Sequence, residues 1–133
     1  MTARLRADIR KLVAAAAPKT LTLFDDNQPV RGPALEKGYL RLSIALEDGE
    51  TGLGAHLPRL GRLGIIIAVP AGTGSGAGDS VIEALNSGLS FGGSRTVRFG
   101  GLAVTPGRQV GQLWVIDTEI GFTDWGAGVE ADG

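Results

Sequence analysis

Three consecutive isoleucines, Ile65, Ile66 and Ile67, bounded by Gly64 and by Val69-Pro70, restrict this chain more than any other stretch. β-branched side chains suit a pleated surface and the run is too short for a helix, so it predicts a buried strand that Pro70 ends. The next segment, Ala71-Gly72-Thr73-Gly74-Ser75-Gly76-Ala77-Gly78, is glycine-rich, and after it Asp79 and Ser80 are residue types that cap a helix. Val81, Ile82, Leu85 and Leu89 then fall on one helical face. The stretch from Gly61 to Phe91 is therefore expected to be a strand, a glycine loop and a helix folded back onto a sheet.

That arrangement invites a nucleotide reading. Gly72-Thr73-Gly74-Ser75-Gly76-Ala77 fits G-x-G-x-x-G/A, the pattern in which backbone N–H groups and a helix N-terminus hold a pyrophosphate. A ribose-binding acid is expected about 20 residues further on, where this sequence has Phe91-Gly92-Gly93-Ser94. No Lys-Ser/Thr pair follows the glycines either, so the phosphate loop of P-loop enzymes is absent. A plain connection outweighs a phosphate cradle.

Upstream, Leu5, Ile9, Leu12, Val13 and Ala16 form one apolar stripe, which predicts an amphipathic helix over residues 2–17 that Pro18 stops. Leu21-Thr22-Leu23-Phe24 reads as a short strand before the turn-rich Asp25 to Pro29. Tyr39 to Glu47 alternates, with Leu40, Leu42, Ile44 and Leu46 toward a core. The connection Asp48 to Leu60 is 13 residues long, beyond the two to five of a hairpin loop, and such long connections are commonly functional. Its Leu53, Leu57 and Leu60 are apolar residues on a glycine-bearing excursion, the kind of patch that marks a contact surface. Downstream, Arg95 to Thr105 predicts a bulged strand or tight hairpin broken at Gly100-Gly101. Pro106-Gly107 is expected to turn the chain into the longest alternation, Gln112 to Thr123. The expected fold class is α+β, a mostly antiparallel four- to five-stranded sheet with two main helices packed on it. Residues 1–125 are expected to form one domain and 126–133 a disordered acidic tail.

Composition narrows the function. A net charge of −1 gives no global basic field with which to grip nucleic acid. The absence of cysteine removes disulfides, thiolate metal sites and thiol nucleophiles together. Glycine, at 22 of 133 residues, is more than twice the usual share of roughly 7% and is concentrated between periodic segments. Ordering such loops costs about 1 to 2 kcal/mol per residue, which favours loops that settle only against a partner. No apolar run reaches the roughly 18 residues of a membrane span.

Catalytic constellations are not legible. The single histidine, His56, lies on the long loop, and Gly88-Leu89-Ser90-Phe91-Gly92 matches the nucleophile elbow G-x-S-x-G with a helix where the motif needs a strand. A glycine-terminated helix end is the simpler expectation there. Asp117 and Glu119 share a strand face but offer too few oxygens for a hard cation. No enzyme activity, cofactor or metal is expected.

Together the strand Gly38-Tyr39-Leu40-Arg41-Leu42-Ser43, the leucine-bearing loop, the run Val69-Pro70-Ala71-Gly72-Thr73-Gly74, the helix behind it and Leu113-Trp114-Val115-Ile116-Asp117 resemble the tail-terminator-like proteins of long-tailed phages and prophages. The resemblance implies a structural virion protein and no catalytic residues. It implies a homo-oligomeric ring, typically a hexamer, that caps the tail tube, meets the head-tail connector and lets genomic DNA pass without specific binding. It also implies a place in the virion at the tail end or neck, with no membrane partner. Leu53, His56, Leu57, Arg59, Leu60 and Arg62 are the candidate interface residues. The alternatives are another neck or tail component, such as a connector stopper or tube-like subunit, and a nucleotide-binding module using Gly72 to Gly78.

Overall fold

The computed structural model describes residues 3–47, 58–72 and 76–125. In chain order its elements are α1 (Ala3–Ala16), β1 (Thr22–Asp25), α2 (Ala34–Lys37), β2 (Tyr39–Leu46), β3 (Arg59–Pro70), α3 (Gly76–Leu89), β4 (Val97–Val104), β5 (Arg108–Val110) and β6 (Leu113–Asp124). They make an α+β fold with one mixed sheet in the order β1-β2-β3-β6-β4, and β5 also pairs with β6. β3 is the central strand, antiparallel to β2 on one side and to β6 on the other.

The isoleucine strand explains the layering. Alternate residues Leu63, Ile65, Ile67 and Val69 face the helices and are almost wholly buried. Their cross-strand partners include Leu42 and Leu40 on β2 and Ile120 and Ile116 on β6. Leu5, Ile9 and Val13 of α1 and Val81, Leu85 and Leu89 of α3 close this cluster from above. Each such side chain contributes about 1.5 to 3 kcal/mol by leaving water. Ile66 points the other way and packs on a small second cluster of Ala68, Leu113 and Val115. Elsewhere that second face is open, with Ser43, Ala45, Arg62, Glu119 and Gly121 exposed.

Several boundaries differ from expectation. The sheet has six strands instead of four or five, because the short β5 pairs with the start of β6. β1 runs parallel to β2, which the connection through α2 allows, since parallel neighbours need a crossover of a dozen or so residues. Pro106-Gly107 does not reverse the chain: β4 and β5 run in one direction against β6, and the turn is at Gly111-Gln112, where Gly111 has φ 62. Of the two readings of Gly100-Gly101, the bulge holds, because the register shifts between Phe99 and Leu102. α3 starts at Gly76, ahead of Asp79, and Gly78 lies in the helix where a Cβ would come within 2.8 Å of the Ile116 side chain. β3 starts at Arg59, so Arg59 and Leu60 are strand residues, and Glu47 N–H donates to the Leu60 carbonyl. The expected tail, 126–133, lies outside the described residues.

The helix end also differs. The left-handed residue after α3 is Phe91, with φ 58, in place of a glycine. Gly88 serves a different purpose, because a Cβ there would sit 2.4 Å from the Ala16 Cβ where α1 and α3 touch. An alanine in an exposed helix position normally gains about 1 kcal/mol over glycine. Here overpacking reverses the sign, and Gly88→Ala is expected to destabilise by about 1 to 3 kcal/mol. Urea unfolding of Gly88→Ala, Ala16→Gly and the double variant checks this: the double variant recovers part of the loss, whereas simple additivity would remove the helix contact as its cause.

Candidate functional site

The end of the sheet that carries the β2–β3 connection is organised by one buried carboxylate. Asp124, the last residue of β6, is fully buried. It accepts hydrogen bonds from the Arg4 guanidinium of α1 at 2.9 and 3.0 Å and from the Arg59 guanidinium of β3 at 2.6 Å. Arg4 also donates to Asp8 one turn along, at 2.8 Å, and the Thr96 hydroxyl reaches Asp8. Charge-assisted bonds of this kind are about twice as strong as neutral ones, and two guanidiniums offset the cost of burying the carboxylate. The first turn of α1 and the facing ends of β3 and β6 are thereby tied together.

Of the six candidate interface residues, Leu53, His56 and Leu57 lie outside the described residues. Arg59 is turned into the Asp124 cluster. Leu60 is 51% exposed on the open sheet face. Arg62 lies on that face, 2.9 Å from Glu119 and 3.7 Å from Glu47. The structure therefore brings Leu60 and Arg62 onto one surface and places Arg59 beneath it. Asp117 and Glu119 share the open face, and each holds an arginine, Asp117 pairing with Arg108 at 2.7 Å.

The other motifs are likewise placed. Ser90 follows a helix; its Oγ donates to Asn86 Oδ1 at 2.6 Å and accepts from Leu102 N–H at 3.0 Å, which straps the end of α3 to β4. For the glycine-rich segment, residues 73–75 lie outside the described residues and Gly76 to Gly78 are helical. β3 has no parallel neighbour, so the switch point at which open parallel sheets bind dinucleotides is not formed beside it.

Parts of both sheet edges are occupied. On β1, the Leu23 carbonyl accepts from Arg10 at 3.0 Å and Asp25 N–H donates to Gln28 Oε1 at 2.8 Å. On β4, Phe99 N–H donates to the Gly92 carbonyl, and the Gly100 carbonyl accepts from Phe91 N–H. These are devices that discourage strand-to-strand addition along β1 and the first half of β4.

Two residues of consequence were not singled out from sequence. Asp124 continues the even-numbered phase of Ile116, Ile120 and Phe122, so period-two reasoning carried one step further places a carboxylate on the core face, opposite an arginine-rich helix. Phe91 is 81% exposed, a bulky side chain in a backbone region that costs non-glycine residues about 1 to 2 kcal/mol. Only its position just past the helix, between Ser90 and Gly92, hinted at this. Removing one partner of a buried pair typically costs 3 to 5 kcal/mol. The Arg4 and Arg59 side chains are 24% and 28% exposed, so Asp124→Asn is expected to cost about 3 kcal/mol, the lower end of that range. Chemical denaturation measures it, and a loss under about 1 kcal/mol would remove the cluster from its structural role.

Two of the solved structures that resemble this fold are informative. One, whose name describes no function, superposes with a TM-score of 0.70 at 17% identity, covering 90% of this chain and 92% of its own. The other is a chain from the virion of a native gene transfer agent particle, with a TM-score of 0.59 at 19% identity, covering 90% of this chain and 93% of that one. No protein-family model and no curated protein matches the sequence. The likeness establishes that nearly the whole chain adopts a fold that is also found in a virion component.

Proposed function

We propose that this protein is a virion structural component that caps the completed phage tail tube as a homo-oligomeric ring, most simply a hexamer, and joins it to the head connector. The observation that carries the reading is the end-to-end likeness to a chain of the gene transfer agent virion, with 90% of this chain and 93% of that chain superposed. The sequence resemblance to tail-terminator-like proteins points the same way. The physical chemistry is compatible with it. A small sheet-and-helix core presents the Leu60 and Arg62 surface beside the long β2–β3 connection. A chain of net charge −1 can border a DNA passage without holding the phosphates.

In this reading Leu53, Leu57 and Leu60 contact the tube or the connector through apolar burial, and Arg62 orients that contact. The chain carries out no bond-making step and works at the tail end or neck of the particle. Deleting the gene from the parent phage or prophage tests it: filled heads and separate tails are expected in micrographs, and the purified wild-type particle is expected to contain the protein. A deletion strain that makes fully joined, infectious particles overturns the proposal. Leu53→Asp combined with Leu57→Asp is expected to lower the yield of joined particles while the protein stays folded, and an unchanged yield would remove those leucines from the interface.

A further inference from the structure

The arginines of α1 are neutralised within the chain: Arg4 by Asp8 and Asp124, Arg6 by Asp26, and Arg10 by Asp25. Several other charged side chains form no ion pair among the described residues, Lys19, Glu36, Lys37 and Arg98 among them, and two groups of these unpaired charges rim grooves. The first is Asp79 and Glu83, four residues apart on α3 and both exposed, a like-charge spacing that weakens a helix. They rim a groove between α3 and β4 floored by Ile82, Leu102 and Val104. Along the same edge Phe91 stands 81% exposed, its ring over Gly101. The second is Lys11 and Arg95, both exposed. They rim another groove, between α1 and residues 94–96, floored by Leu12 and Ala15. The acid beside them, Asp8, is held by Arg4.

We infer that these two flanks meet between copies of the chain, the acidic α3–β4 flank of one copy receiving the basic α1 flank of the next. Phe91 is the anchor that enters the Leu12–Ala15 groove, with Asp79 and Glu83 opposite Lys11 and Arg95. The inference rests on the ring reading above and names its subunit contact. The charges favour unlike flanks over like ones. A two-fold pairing of either flank with itself would set like charges face to face, whereas unlike flanks form a head-to-tail contact that closes into a ring when the rotation permits. The backbone of Phe91 supports the assignment. A bulky residue is held in the left-handed region where glycine would be relaxed, fixed there by its N–H bond to the Gly100 carbonyl, and strained backbone of this kind clusters at functional contacts. Rigid aromatic anchors with charged rims are the usual pattern of interface hot spots.

The test uses the full chain, with native mass spectrometry and size exclusion at low and high salt. The wild-type protein is expected to form oligomers that weaken as salt rises. The double variants Asp79→Lys/Glu83→Lys and Lys11→Glu/Arg95→Glu are each expected to be folded and monomeric, the first melting slightly lower because Asp79 lies in the first turn of α3. Mixed in equal amounts, they are expected to recover assembly, associating about tenfold or more tighter than either alone. Phe91→Gly relieves the backbone and removes the anchor, so it is expected to melt close to wild type while associating weakly. A wild-type protein that stays monomeric at low salt, reversal variants that assemble normally, or a mixture that remains monomeric would each overturn the inference. Particle incorporation is measured in parallel and separates the two proposals. Reversal variants built into particles at wild-type levels sink this contact and leave the virion reading standing. Wild-type oligomers formed through these flanks but missing from particles support the contact and sink the virion reading.

Discussion

The twelve-residue pairing of β3 with β6 is the constraint on which everything else in the fold depends. A slip of one residue would send Arg62, Gly64 and Ile66 to the helices and turn the aliphatic row outward. Two local features hold the register. Gly61 lies under the Phe122 ring, where a Cβ would be 2.4 Å from the ring edge, so no larger residue fits opposite that aromatic. Arg59 and Asp124 are direct cross-strand partners as well as an ion pair, so the last rung of the ladder is also an electrostatic one. With that register set, Leu63, Ile65 and Ile67 receive both helices, and Glu47, just past β2, is hydrogen-bonded to Leu60.

The parts of the fold that sequence disclosed are those where side-chain period and burial agree. α1, β2 and β6 alternate or repeat cleanly, and their boundaries fall within a residue or two of expectation. The central strand was legible as a strand but not in its extent, because Arg59, Leu60, Gly61 and Arg62 carry none of the β-branched signal. They extend as strand because β6 supplies partners for each of them. Likewise Gly76-Ala77-Gly78 looks like loop and folds as helix, since Gly78 allows α3 to approach Ile116 closely. β5 is three residues long and wholly exposed; only its neighbour makes it a strand. Those are tertiary effects that no local pattern contains.

The candidate site was less legible for a related reason. Sequence places charges on faces but does not say which of them find partners inside the chain. Arg59 looked like a loop charge available to a partner, yet it is used on Asp124. Phe91 looked like part of a glycine-flanked helix end, yet its ring is the most exposed large apolar group among the described residues. In both cases the missing information is a long-range contact or its absence.

The distribution of satisfied charges bears on where a partner can settle. On the open sheet face Arg62 is shared between Glu119 and Glu47, and Arg108 holds Asp117. Exposed pairs of this kind contribute about 0.2 to 1 kcal/mol each, and a partner that covers them must desolvate charges that already have counter-ions, a cost that mutual attraction only partly offsets. Asp79 with Glu83, and Lys11 with Arg95, start from the opposite condition: they form no ion pair among the described residues, so a surface of opposite charge adds an attraction without breaking one. For equal apolar area, an oppositely charged surface therefore gains more along these flanks than any surface does across the paired charges of the sheet face.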